Sequence, residues 1–167
     1  MRPGSNAVLP VMAEAITNKD GTEKQDCEYQ AGKRWLAAHG QEYRWLKPTL
    51  LGDDLYSSQP FCLQVLEQGM SFIFTCKPAS HPWLSETVRN SFLQERIVKK
   101  WTGRTRQTST YRWINGVPLR DSADALQVNY LSLEISSGEG GKASYRNSWV
   151  TADQLPPAGR TVPVSRF

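Results

Sequence analysis

Apolar and polar positions fall into two textures along this chain, with a change near residue 97. Before it, short apolar runs alternate with stretches of helical period. Residues 7–16 hold Val8, Leu9, Val11 and Met12 and predict a strand. Asn18-Lys19-Asp20-Gly21 predicts a turn, and Thr22-Glu23-Lys24-Gln25 has the pattern of a capping box. The helix it opens is expected to run to Gly40, with Cys27, Ala31, Trp35 and Ala38 on one face. Residues 44–47 and Pro48 lead into a strand at 49–52. Ser57 or Ser58 can cap the next helix, with Pro60 in its first turn, Phe61, Val65 and Leu66 inside, and Gly69 stopping it. Residues 71–76, Ser-Phe-Ile-Phe-Thr-Cys, form an unbroken β-prone run suited to a strand covered on both faces. Ser80 caps a further helix through about Arg96, with Trp83, Leu84, Val88 and Phe92 inward. The order β-α-β-α-β-α argues for a parallel or mixed sheet with helices on its faces.

From 97 to 150 only strand-like runs and turns follow. Residues 111–114 meet a predicted turn at Asn115-Gly116, then 117–119. Residues 126–136 alternate as Leu126, Val128 and Tyr130, then as Leu131, Leu133 and Ile135, with a register change between. A turn at 138–141 returns the chain through 143–150, which completes a β-meander. Residues 154–167 hold Leu-Pro-Pro-Ala-Gly-Arg and no periodicity, and read as a disordered or poorly anchored tail.

The length of 167 residues suits one domain with a real core, and 39% apolar with 22% charged residues is ordinary for a globular chain. A net charge of +4 permits a polyanionic partner without requiring one. Cys27, Cys62 and Cys76 are odd in number and lack C-x-x-C spacing, and only His39 and His81 could join them. That disfavours a structural zinc site and reads as three reduced thiols in a cytosolic protein. No run is long enough to span a bilayer, and the amino-terminal residues have no signal-peptide core.

The candidate chemistry lies in two places. The apolar run at 49–52 ends in Asp53 and Asp54, which suits a carboxylate delivered to the carboxyl edge of a sheet to hold a divalent metal. The same pair also suits the capping of a turn. Between 96 and 113, Arg96, Lys99, Lys100, Arg104, Arg106 and Arg112 occur without an acid, interleaved with Trp101, Tyr111 and Trp113. Such a stripe fits a phosphate backbone, or equally a solvated strand face over a packed aromatic side. The acids of residues 20–28 fall in the first turns of a helix, where its dipole favours them. His39 and His81 are isolated in sequence, and no Ser/His/Asp or Cys/His triad or phosphate-cradling glycine loop is legible.

Several motifs in order resemble a group of bacterial insertion-sequence transposases of the DDE class. They are Asp20-Gly-Thr-Glu-Lys-Gln-Asp-Cys-Glu28 with Lys33-Arg-Trp-Leu36, then Leu51-Gly-Asp-Asp-Leu-Tyr56 with Gln59-Pro60. Next come Cys76-Lys-Pro with Ser80-His81, the run from Tyr111 through Asn115-Gly116 to Asp121, and Tyr145-Arg-Asn147. The resemblance covers about residues 3–151. It implies an α/β fold: an incomplete ribonuclease H-like core (a mixed sheet with flanking helices) over 1–96, a β-rich insertion over 97–150 and an irregular tail over 151–167. It implies Mg²⁺-dependent cleavage and strand transfer of transposon-end DNA, with Asp53 as the second carboxylate of the triad and Asp54 the alternative one register away. It also implies a bacterial cytoplasmic, nucleoid-associated place and allows a homodimer. DNA contacts are then expected from Lys99, Lys100, Arg104, Arg106 and Arg112 of the insertion.

The chain departs from that pattern at two of the three carboxylates. Near the first strand the only acid is Glu14, which does not match the first Asp. Beyond Val150 stand Asp153 and the helix-breaking pair Pro156-Pro157, where the pattern needs a Glu-bearing helix. The expectation is therefore an internal piece of a transposase that keeps one ligand and is inactive alone. The alternative is a non-catalytic DNA-binding remnant that uses the basic insertion.

Overall fold

Two parallel strands and a four-stranded meander join into one sheet. The computed structural model describes residues 11–16, 27–102, 105–137 and 143–157. Helix α1 (Glu28–Tyr43) precedes strand β1 (Thr49–Gly52). Helix α2 (Gln59–Glu67) is the crossover that lets β1 pair in parallel with β2 (Ser71–Thr75), from Thr49↔Ser71 to Gly52↔Phe74. Helix α3 (Pro82–Arg89) leads to β3 (Gln94–Thr102), β4 (Thr105–Pro118), β5 (Gln127–Ser137) and β6 (Ala143–Thr151), each antiparallel to the next. β6 returns to pair with β2, so the sheet order is β1-β2-β6-β5-β4-β3. The predicted meander is present, and it continues the sheet of β1 and β2 edge to edge.

Local chemistry explains the elements that match their prediction. α2 starts after Ser58 with Pro60 in its first turn, where a missing N–H does no harm, and Phe61, Cys62 and Val65 are buried. Past its end, Gly69 takes φ +71°, a left-handed conformation that a side chain would strain.

Among the described residues, α1, α2 and α3 lie on one face of the sheet. Phe72 and Phe74 point into a core with Leu36 of α1, Phe61 and Val65 of α2, and Leu84 and Val88 of α3. On the other face Ile73 stays 38% exposed and Leu51 78%. The expected double cover of 71–76 is thus corrected: the alternation of β2 buries only its even residues among the described parts of the chain. Val117, Val128 and Val150 extend the same core across the meander.

Other expectations are corrected as well. Residues 11–16 form no strand; they lie against α1, with Trp35 Nε1 donating to Met12 O (2.6 Å) and Arg34 paired with Glu14 (2.7 Å). Residues 7–10, the turn at 18–21 and the capping box at 22–25 lie outside the described residues. α1 runs past Gly40 to Tyr43 and buries Ala31, Leu36 and Gly40, whereas Cys27 and Ala38 are exposed. Gly40 lies within the helix and lets Gln68 approach closely, since a Cβ there would lie 2.6 Å from Gln68 Cγ. α3 ends at Arg89, not near Arg96, because Gln94 onward is claimed by pairing with β4. Phe92, expected inside, is 92% exposed.

Asn115-Gly116 is not a hairpin turn. The two residues stand opposite Asn129 as a β-bulge within β4, between the pairs Ile114↔Tyr130 and Val117↔Val128. A type I′ turn needs two positive φ angles, and only Gly116 has one, at +68°. The buried Asn129 amide holds the bulge: Oδ1 accepts from Gly116 N (3.0 Å), and Nδ2 donates to Ala152 O and Asp153 O. The extra residue shifts the alternation, so Val117 and Leu119 face the core on the same side as Ile114. β5 pairs without interruption through Tyr130 and Leu131, so the change predicted there is one of apolar face and not of register. Residues 154–157 are irregular but anchored: Trp113 Nε1 donates to Pro156 O (2.8 Å), and Asn115 and Leu155 exchange two hydrogen bonds. Residues 158–167 and the turn at 138–141 lie outside the described residues.

Candidate functional site

The carboxyl end of β1 is shaped by a glycine. A Cβ on Gly52 would lie 2.9 Å from ring atoms of both Phe74 and Tyr56, so the strand ends under two aromatic rings. Asp53 follows in extended conformation and caps a short 3₁₀ turn, its Oδ1 accepting from Leu55 N (2.9 Å). Its second oxygen has no partner among the described residues. Tyr56 leaves the turn inward; its hydroxyl donates to Glu28 Oε1 (3.0 Å), and burial followed by that contact pushes its pKa up to about 12. Tyr56 therefore serves as a packing and hydrogen-bonding group, not as a base.

Asp54 has a different job. Its Oδ1 accepts from Lys77 N (2.6 Å) and its Oδ2 from Ser80 Oγ, so both oxygens bind the loop between β2 and α3. The side chain is 13% exposed. The sequence pairs the two carboxylates as alternatives; the geometry separates them into one that holds a loop and one with an oxygen to spare.

The fold also brings together a Ser, a His and an Asp that are isolated in sequence. Ser57 Oγ lies 2.7 Å from His81 Nε2, and His81 Nε2 lies 3.9 Å from Asp54 Oδ1. This is not a nucleophilic relay, in which one ring nitrogen takes the serine proton and the other is held by the acid. Here the same nitrogen faces both partners. Ser57 is fully buried and donates to Asp54 O (2.7 Å), which leaves His81 Nε2 as the donor to Ser57 Oγ. Burial lowers the His81 pKa below 6.5 against the opposing pull of Asp54.

That shift has a consequence for stability. Above pH 6.5 His81 is neutral in both states and contributes no slope. Below it the unfolded chain takes up a proton that the folded histidine resists, so stability is expected to fall as pH drops below 6.5. Urea unfolding of wild type and His81→Asn across that range checks this. The variant should lose part of the slope, and an unchanged slope would discount the histidine.

The basic stripe of residues 96–112 is divided by strand alternation. Pairing of Glu95 with Arg112, Lys99 with Thr108 and Trp101 with Arg106 puts Lys99, Arg106 and Arg112 on the helix side of the sheet, with Trp101. Arg96 and Lys100 fall on the opposite side, and Arg104 lies outside the described residues. Arg112 is held by Glu95 at 2.7 Å. The helix side adds cations that the sequence pattern does not point to: Arg89 at the end of α3, Arg146 of β6 and Lys77 line one cleft with Arg112. No local signal marks them, because the register of three strand pairs brings them together.

The chain matches no protein-family model, and it matches no curated protein. Among the described residues no helix is long and apolar enough to cross a membrane. Among them, too, no three His, Cys, Asp or Glu side chains gather as a metal site. A divalent ion held by oxygen needs several ligands, and a two-metal site needs carboxylates on both sides of a phosphate. Asp53 fits the part of one such ligand; the described residues do not complete the set.

Proposed function

We propose that the chain is a DDE transposase-group polypeptide with a ribonuclease H-like arrangement, which binds transposon-end DNA and does not cut it alone. The observation that carries the reading is Asp53 at the carboxyl end of a parallel strand, with one oxygen unengaged, beside a cation-rich sheet face. In open α/β sheets that edge is where ligands sit. Among the described residues β1 is the outer strand of the sheet, and Leu51 on it is exposed. Asp53 would contribute one Mg²⁺ ligand; cleavage needs partner carboxylates, which the described residues do not supply.

The expected result with purified chain and labelled duplex DNA is binding that weakens steeply with salt, and no Mg²⁺-dependent nicking. Nicking that is lost in Asp53→Asn would show a complete site and overturn the inactivity. Absence of DNA binding at low salt would overturn the reading. A second reading, a non-catalytic DNA-binding protein, is favoured by Lys99, Arg106 and the 68%-exposed Trp101 on one ribbon face. It expects affinity unchanged in Asp53→Ala and reduced by charge reversal at Lys99.

A further inference from the structure

We infer that the cleft between α3 and strands β4 to β6 seats the sugar-phosphate backbone of a single DNA strand; this rests on the DNA binding proposed for the chain. The cleft has a volume of about 630 Å³ and is lined by Lys77, Arg89, Arg112 and Arg146 against one acid, Glu134. That volume is of pocket size and takes a stretch of one strand, not a duplex.

The cations are of two kinds. Arg112 and Arg146 are braced across strand pairs, by Glu95 and Glu134, each at 2.7 Å. Bracing fixes each guanidinium while leaving further N–H donors for a phosphate oxygen. Arg89 and Lys77 make no ion pair with a described residue. Arg89 stands at the carboxyl end of α3, where a cation is favourable in any case. A helix end explains one arginine; it does not explain four cations converging from a loop, a helix and two strands. Leu93 and Tyr130 add apolar lining, which suits sugars and bases beneath a phosphate row. The cleft also adjoins the carboxylate turn, because Lys77 N is the donor to Asp54 Oδ1.

The test is fluorescence anisotropy of a labelled oligo-thymidine strand with the whole chain over a salt series. Arg89→Glu is expected to weaken binding about tenfold and to lower the slope of log K against log salt by about 0.7 for each phosphate no longer neutralised. Lys77→Glu should act in the same direction. Lys47→Glu makes the same charge change at an exposed position before the amino end of β1, away from the cleft, and should stay within about twofold of wild type. Equal losses of affinity in Arg89→Glu and Lys47→Glu, or none in Arg89→Glu, would overturn the cleft while leaving the DNA reading intact. Failure of the wild-type chain to bind any DNA would overturn both. Tighter binding of a uridine ribo-oligomer would overturn the choice of DNA.

Discussion

Phe74→Ala is expected to cost about 3–5 kcal/mol of folding stability, while Ile73→Ala one residue away costs about 1 kcal/mol. Phe74 is 1% exposed and its ring meets Phe72 at 5.0 Å, Phe61 at 5.8 Å and Tyr56 at 6.1 Å. Truncation strips all three rings of a packing partner and leaves a cavity that a rigid strand and helix cannot close. Ile73 is 38% exposed on the far face and leaves no comparable void. Small domains hold about 5–15 kcal/mol in total, so the first variant stands near the edge of folding. Urea midpoints of the two variants read the difference. Equal destabilisation would mean that the far face of β2 is covered as well.

Asp54→Asn is expected to destabilise the fold by about 1.5–3 kcal/mol, and Asp53→Asn by no more than about 0.5 kcal/mol. The Asp54 carboxylate accepts two donors on two oxygens, Lys77 N and Ser80 Oγ. An asparagine offers one acceptor and turns an N–H₂ toward the other donor. At Asp53 the side chain caps a turn through one oxygen, and asparagine caps as well as aspartate. Urea unfolding of the two variants separates the two carboxylates of one dipeptide by stability alone. Similar destabilisation in both would return Asp53 to a structural role and weaken its candidacy as a metal ligand.

How much of this is legible in the chain depends on the range of the interactions. β1 falls at Thr49–Gly52 as its apolar run predicts, and α2 begins after Ser58 and stops before Gly69. Those signals are local: a proline in the first turn, and a glycine that alone adopts the left-handed conformation cheaply. The helical spacing of Val88 and Phe92 predicts an α3 that reaches Arg96. Pairing of Gln94↔Trp113 and the residues beyond outweighs that spacing and turns the segment into strand. Asn115-Gly116 reads as a hairpin for the same reason in reverse. The local dipeptide favours a turn, but Asn129 and the long β4–β5 ladder make it a bulge.

The candidate site divides along the same line. That a carboxylate follows a short apolar strand at residue 53 is written in the sequence. That Asp54 holds the 77–80 loop, and Asp53 does not, follows only from the packing of two strand ends against each other. Of the five cations expected on the ribbon, alternation keeps Lys99, Arg106 and Arg112 on one face and sends Lys100 to the other, while Arg104 lies outside the described residues.

The α/β character, the strand that ends in Asp53, the helix after it and the existence of a meander thus follow from the order of residues alone. Each rests on periodicity or on the conformational limits of single residues. Three things needed the folded chain: which face of the sheet is covered, which carboxylate is engaged, and the sharing of one cleft by Arg89, Arg112 and Arg146. These depend on strand order and register, and the bulge at Asn115-Gly116 sets which residues of β4 on either side of it share a face.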